Sequence, residues 1–269
     1  MALKEDLGRG DVTTDSIIDN SRRALGLIFP KEDGILCGVG IAQLVFEEID
    51  PSLEFQKILK DGDRFGPGMT IATLTGPAHV CLKGERTALN FLQHLSGIAT
   101  LTRKFVDAAG GKIRILDTRK TLPGLRIIEK YAVRIGGGEN HRFGLYDMVL
   151  IKDNHIEIAG GITQAVNAMR NKKKRAFIEV EVRTIDELNE AIGLKINRVM
   201  LDNMNIEQIV NAVQIVRARG KTIEIEVSGG VNLSNIEEFA ASGIDFVSVG
   251  ALTHSARAID IALKIKPLG

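Results

Sequence analysis

Hydrophobic and polar positions fall into two textures along this chain. From residue 24 to 83, short apolar runs (ALGLIFP, GILCG, LEFQKIL, TIATLTG) are separated by the turns KDGDRFGPG and TGPA, with one amphipathic stretch, IAQLVFEEI, among them. That spacing predicts short strands and turns. From Gly84 to Ala109 the period changes: Leu89, Leu92, Leu95 and Ile98 recur every third residue, which predicts a helix with a broad apolar face dividing two domains. Beyond Lys112 the runs IRILDT, MVLIKDN, FIEVEV, RVMLDN, IEIEVSGG and FVSVG alternate with helical segments such as TQAVNAMR, TIDELNEAI, NIEQIVNAVQIVRAR and LSNIEEFAASG. Apolar strands followed by crossover helices predict a parallel sheet with helices outside. Six such units indicate a (β/α) barrel short of the full eight; an open doubly wound sheet is the alternative. No G-x-G-x-x-G follows any of the strands, which argues against a dinucleotide site.

Composition narrows the function classes. The 269 residues carry 35 basic and 34 acidic side chains, a net charge of +1, so no global field draws the chain to nucleic acid or to a membrane. Tryptophan is absent and aromatics are scarce, which disfavours recognition by base stacking. Two cysteines without metal or redox spacing point to small buried hydrophobes and a reducing cytosol. The opening MALKEDLGRGDVTT lacks the apolar core of a signal peptide, and no window approaches the roughly 18 apolar residues of a membrane span. The expectation is a cytoplasmic protein.

The cations are concentrated instead of global. Arg119, Lys120, His141, Arg142 and Lys152 stand at the ends of apolar runs, where barrels of this class carry their chemistry. The successive strands end in Asp117-Thr118-Arg119-Lys120, in Lys152-Asp153-Asn154-His155, near Glu181, in Asp202-Asn203, in Ser228-Gly229-Gly230 and at Gly250. Any one of these is explained by a helix cap or a turn. Six together, converging on one mouth, describe a site for a polyanion and a metal, because unpaired charges there would repel one another. Ser228, Gly229, Gly230 and Gly250 expose backbone N–H groups in two adjacent loops, the common phosphate grip of barrels. Glu181 and Asp202 can hold Mg²⁺ or ribose hydroxyls; Glu179 shares the face of Glu181 and is an alternative inner-layer group. The run Lys172-Lys173-Lys174-Arg175 is read as a solvated loop, and His79, His94 and His254 as structural or surface residues.

The blocks GERTALNFLQHLSGIAT, LDTRKTLPGLRIIEKYAVRIGGGENHRFGLYDMVLIKDNH, EVEV, LDN, EVSGG and SVGALTHS occur in one order over nearly the whole chain. In that order they resemble the nicotinate-nucleotide pyrophosphorylase (carboxylating), or quinolinate phosphoribosyltransferase, family; the opening KEDLGRGDVTTD fits as well. Members usually carry a longer N-terminal helix than this chain shows. The resemblance implies an α/β chain with an N-terminal α/β sandwich domain (residues 1–97), an incomplete (β/α) barrel (98–253) and a C-terminal helix (254–269) packing back on the first domain. It implies a head-to-tail homodimer in which Arg86 reaches the neighbouring subunit's site. The implied reaction, in NAD biosynthesis, joins quinolinate and phosphoribosyl pyrophosphate into nicotinate mononucleotide, pyrophosphate and CO₂ with Mg²⁺. Arg119, Lys120, His141 and Arg142 would bind the two carboxylates of quinolinate, with Lys152 between carboxylate and phosphates. Ser228, Gly229, Gly230 and Gly250 would take the 5′-phosphate. Lys120, Lys152, Glu181 and Asp202 would form the catalytic set, the last two also holding the metal.

Three rivals remain. A phosphoribosyltransferase for a monocarboxylate would need fewer cations than Arg119-Lys120 and His141-Arg142 supply. An aldolase-type barrel would use Lys152 as a Schiff base and leave the neighbouring cations idle. A non-catalytic sensor on the same fold has no need of Glu181 and Asp202.

Overall fold

The computed structural model describes residues 1–220 and 222–268, which divide into two compact units. One contains Met1–Arg103, Tyr131–Gly137 and the segment from Ala256; the other contains Lys104–Lys130 and Gly138–Ser255.

The first unit begins with two short helices, α1 (Ala2–Leu7) and α2 (Val12–Ile17). Asp11 starts α2 by accepting from the N–H groups of Thr13 (3.0 Å) and Thr14 (2.9 Å), satisfying donors that the first turn would leave free. Then come β1 (Arg23–Pro30), β2 (Gly34–Ile35), α3 (Val39–Ile49), β3 (Glu54–Lys57), β4 (Arg64–Phe65), β5 (Ala72–Pro77) and the long α4 (Ala78–Ala109). β1 buries every second residue, the period of a strand with one face on a core. That core is apolar, with Ile28, Phe46, Leu74 and Leu92 fully buried together. Gly97 of α4 permits a close approach: a Cβ there would lie 2.2 Å from the Arg257 carbonyl oxygen.

Beyond α4 the chain alternates strand and helix: β6 (Arg114–Leu116), α5 (Arg126–Ile135), β7 (Val149–Ile151), α6 (Asp153–Ala159), α7 (Ile162–Lys172), β8 (Ile178–Val182) and α8 (Ile185–Gly193). It continues with β9 (Arg198–Asp202), α9 (Ile206–Ala218), β10 (Glu224–Ser228), α10 (Ile236–Ala241), β11 (Phe246–Ser248) and the single turn α11 (Ala251–His254). The strands lie in the order β6-β11-β10-β9-β8-β7, all paired in parallel, and nothing among the described residues pairs β6 with β7. The sheet is an incomplete (β/α) barrel. The strands are not the uniformly apolar runs the sequence reading described. Ile178, Val180 and Val182 point one way on β8, while Glu179 and Glu181 share the other face and are also buried. Arg198, Glu226 and Ser248 repeat that polar face on β9, β10 and β11.

The C-terminal helix expected over 254–269 is corrected by the structure. Ile261–Leu268 is a strand, β12, antiparallel to β1 from Arg23↔Leu268 to Pro30↔Ile261, in the sheet order β12-β1-β5-β3. Ile261, Leu263 and Ile265 alternate with Ala262 and Lys264, a period of two that a strand satisfies and a helix does not. Pairing also removes the open edge that β1 would otherwise present. The Lys172–Arg175 run is exposed, and no helix is long and apolar enough to cross a membrane among the described residues.

Candidate active site

The C-terminal ends of the barrel strands surround a cavity of about 370 Å³. After β6 come Arg119 and Lys120; after β7, Lys152; on β8, Glu181; at the end of β9, Asp202; at the end of β10, Ser228. All six line the cavity, as do His141 and Arg142 from the loop after α5. The structure therefore brings together eight of the candidate binding and catalytic residues. Gly229 and Gly230 follow Ser228 in left-handed backbone, with φ of 93° and 67°. A Cβ on Gly229 would lie 2.2 Å from Asn203 Oδ1, so that turn requires glycine. Gly250 starts α11 beside Lys120; a Cβ there would meet the Lys120 side chain at 3.1 Å. Arg86 belongs to the other unit, exposed on α4.

Buried ion pairs hold the cationic loops. Asp117, fully buried, accepts from the Lys130 ammonium, from the His141 backbone N–H (2.9 Å) and from Asn140 Nδ2 (2.6 Å). Lys130 in turn donates to the His141 carbonyl at 3.0 Å. Burial pushes the Asp117 carboxyl up and the Lys130 ammonium down, and their attraction opposes both shifts. Arg126 staples the neighbouring loops, donating to Thr121 Oγ1 (2.9 Å) and to the carbonyls of Phe143 (3.1 Å) and Arg119 (3.3 Å). Neither Lys130 nor Arg126 stood out in the sequence. Their partners lie several residues away, and only the fold makes them neighbours.

Below the cavity lies a second charged layer. His141 Nδ1 accepts from the Arg142 N–H at 2.7 Å, so the neutral ring carries its proton on Nε2. That nitrogen faces Glu179 Oε2 at 3.2 Å and Glu226 Oε2 at 3.5 Å. Burial lowers the His141 pKa and raises both carboxyls to about 7. Arg198 closes the layer, its Nη1 3.0 Å from Glu226 and its Nη2 2.7 Å from Glu224, with its guanidinium 3.9 Å from the Phe246 ring centroid. The alternation Ile-Glu-Val-Glu-Val was the signal for Glu179; Glu226 and Arg198 carried the same signal and were passed over.

At the mouth the pairs are looser. Lys152, 42% exposed, meets the buried Glu181, and Arg183, 53% exposed, joins Asp153 (2.7 Å) to Asp202 (3.3 Å). Burial pulls Arg142 below its ordinary value, with the Arg119 charge adding to that effect. Arg119 Nε is buried and has no hydrogen-bond partner among the described residues. The Arg119 residue lines the cavity, and a guanidinium there is matched to a ligand carboxylate or phosphate.

Comparison with known proteins places the chain in a family. Residues 11–96 match the quinolinate phosphoribosyl transferase N-terminal domain, and residues 98–264 match the C-terminal domain of the same family. The chain belongs to the quinolinate phosphoribosyltransferase family. Within it, the chain is 44% identical to a chloroplastic nicotinate-nucleotide pyrophosphorylase [carboxylating] of Arabidopsis thaliana, over 98% of this chain and 81% of that one. It is 42% identical to a probable nicotinate-nucleotide pyrophosphorylase [carboxylating] of a Synechocystis strain, over 98% and 90%. The crystal structure of NadC from Streptococcus pyogenes superposes with a TM-score of 0.94 at 42% identity, covering 100% of this chain and 95% of the other. The quinolinate phosphoribosyltransferase fold accounts for both units, sheet and barrel alike.

Proposed function

We propose that this protein is a quinolinate phosphoribosyltransferase, converting quinolinate and phosphoribosyl pyrophosphate to nicotinate mononucleotide, pyrophosphate and CO₂ in NAD biosynthesis. The observation that carries the reading is the cavity wall, where Arg119, Lys120, Arg142 and Lys152 converge and one guanidinium donor is left without a partner. A planar dicarboxylate matches that wall, because the guanidinium fork pairs with a carboxylate through two parallel N–H···O bonds. A monocarboxylate would leave part of the positive charge uncompensated.

The residues divide the work as follows. Arg119, Lys120 and Arg142 hold the two carboxylates, with His141 fixing the Arg142 backbone from below. The ring nitrogen then faces the anomeric carbon and attacks it as pyrophosphate leaves. Ser228, Gly229, Gly230 and Gly250 bind the 5′-phosphate through backbone N–H groups. Glu181 and Asp202 stabilise the positive charge that develops on the ribose. Lys152, beside Glu181, bridges substrate carboxylate and phosphate. Alkylation makes the ring nitrogen cationic, so the adjacent carbon accepts the electron pair left when the 2-carboxylate departs as CO₂, and a proton from water then completes that carbon.

Two carboxylates at the ends of adjacent strands form an all-oxygen donor set that suits Mg²⁺, so Glu181 and Asp202 are the residues that would hold it. When bound, the ion would neutralise phosphate charge. Arg86 would enter the site of a second subunit in a homodimer. The chain would work in the cytoplasm.

The test is one assay: protein, Mg²⁺ and phosphoribosyl pyrophosphate with either quinolinate or nicotinate, following nicotinate mononucleotide and CO₂. Product and CO₂ from quinolinate alone are expected. Product from nicotinate alone would replace this reading with the monocarboxylate enzyme.

A further inference from the structure

We propose that Arg183 is an additional diphosphate-binding residue of this site, held on Asp202 and Asp153 while the site is empty and exchanged onto the leaving diphosphate of the phosphoribosyl donor. The inference rests on the reading of the site as a phosphoribosyltransferase.

Arg183 stands one position beyond β8, two residues after Glu181, and lines the same cavity. Its backbone is fixed: the N–H donates to Glu187 Oε2 at 2.6 Å, and the next residue, Thr184, caps α8 by accepting from the Glu187 N–H at 3.1 Å. Only the side chain is left to move. The guanidinium bridges loops from two strand ends, with Nη2 on Asp153 and Nε on Asp202.

The exposures separate this pair from the buried one behind the loops. Lys130 and Asp117 are 3% and 0% exposed, so that pair is locked by the cost of stranding either charge. The Arg183 side chain is 53% exposed and that of Asp153 41%, and an ion pair so open to water holds only weakly. Asp202 is 13% exposed, so the contact that Arg183 makes there neutralises a carboxylate with little solvation of its own. A divalent cation arriving at Asp202 would take over that neutralisation and release the guanidinium beside the cavity. A planar donor with a fork geometry then faces whatever phosphate oxygens the cation brings. Lys152 on Glu181 repeats the arrangement on the other expected metal carboxylate, so each of the two is capped by an exposed cation.

The experiment titrates the full chain with inorganic diphosphate in the presence of Mg²⁺ by calorimetry, alongside Arg183→Ala, Arg183→Lys and Asp153→Asn. Arg183→Ala is expected to weaken diphosphate binding by roughly ten- to a hundredfold, the loss of a charge-assisted bond. Arg183→Lys should recover part of it, and Asp153→Asn should tighten binding by removing a competing acceptor. In a separate titration without diphosphate, Mn²⁺ followed by electron paramagnetic resonance should bind Arg183→Ala more tightly than wild type, since Asp202 has lost its internal cation. Equal diphosphate affinity in wild type and Arg183→Ala would overturn the role of Arg183 alone. A wild type that binds no diphosphate would overturn the phosphoribosyltransferase reading beneath it.

Discussion

Phe46 and Glu226 are both fully buried, one in each unit, and they are buried among opposite surroundings. Phe46 sits among Ile28, Leu74 and Leu92, with its ring centroid 6.0 Å from that of Phe55. Glu226 sits against Arg198, His141 and Glu179, inside a barrel whose helix-facing side is apolar. The first unit buries hydrocarbon, which needs only complementary shape and gains stability with every methylene. The second buries charge, which costs desolvation and repays it only when each partner is in place. The barrel thereby holds its cationic loops in one arrangement, at some expense to its own stability.

The contrast can be broken from either side. Phe46→Ala should remove about 3–5 kcal/mol from the first unit, the usual cost of an aromatic cavity, and urea unfolding of the whole chain would register it. The idea of a tight apolar core fails if the midpoint hardly moves. Lys130→Met should cost a similar ~3–5 kcal/mol, because it strands the buried Asp117. Adding Asp117→Asn to it should return part of that loss, whereas a second deletion beside Phe46 would only deepen the first. Double-mutant unfolding curves separate the two behaviours.

Smaller effects sharpen the functional side. Arg119→Ala should leave thermal stability near wild type yet lower kcat/KM for quinolinate by about 10²–10³, the scale of one lost preorganised donor. Unchanged turnover would remove Arg119 from the site. Gly229→Ala introduces a Cβ 2.2 Å from Asn203 at a φ of 93°, and should destabilise by about 1–3 kcal/mol while weakening phosphate binding. The last effect concerns pH. Burial raises the Glu226 carboxyl from its ordinary 4.5 to about 7, so the folded chain keeps a proton that the unfolded chain has already released. Stability therefore falls as pH rises through that window. Glu226→Gln should flatten the fall in melting temperature between these pH values; parallel slopes for the two proteins would count against the assignment.

How far the sequence was readable depends on the range of the interaction. The strand ends were legible because a polar or glycine residue closing an apolar run marks the catalytic face of a barrel without any knowledge of its neighbours. Six of the candidate binding and catalytic residues at those ends do share a cavity, joined there by His141 and Arg142 from the loop after α5. Lys130 was not legible: its partner Asp117 is 13 positions away on another element, and an internal helical lysine reads as a solvated charge. Arg183 was missed for the same reason, since on paper it only precedes a helix cap.

The C-terminal segment was misread although its period of two was visible in Ile261, Leu263 and Ile265. What made it a strand is the free edge of β1, more than 200 positions earlier, which the local pattern does not contain. Residue types and their spacing by themselves determined the alternation of elements, the barrel class and the charge of the site, because these follow from periodicities of two and 3.6 and from chemistry at fixed chain positions. Tertiary structure alone decided the pairing of charges: Lys130 with Asp117, His141 with Glu179 and Glu226, Arg183 with Asp202. Coulomb energy depends on distance and solvent, and neither exists until the chain has folded.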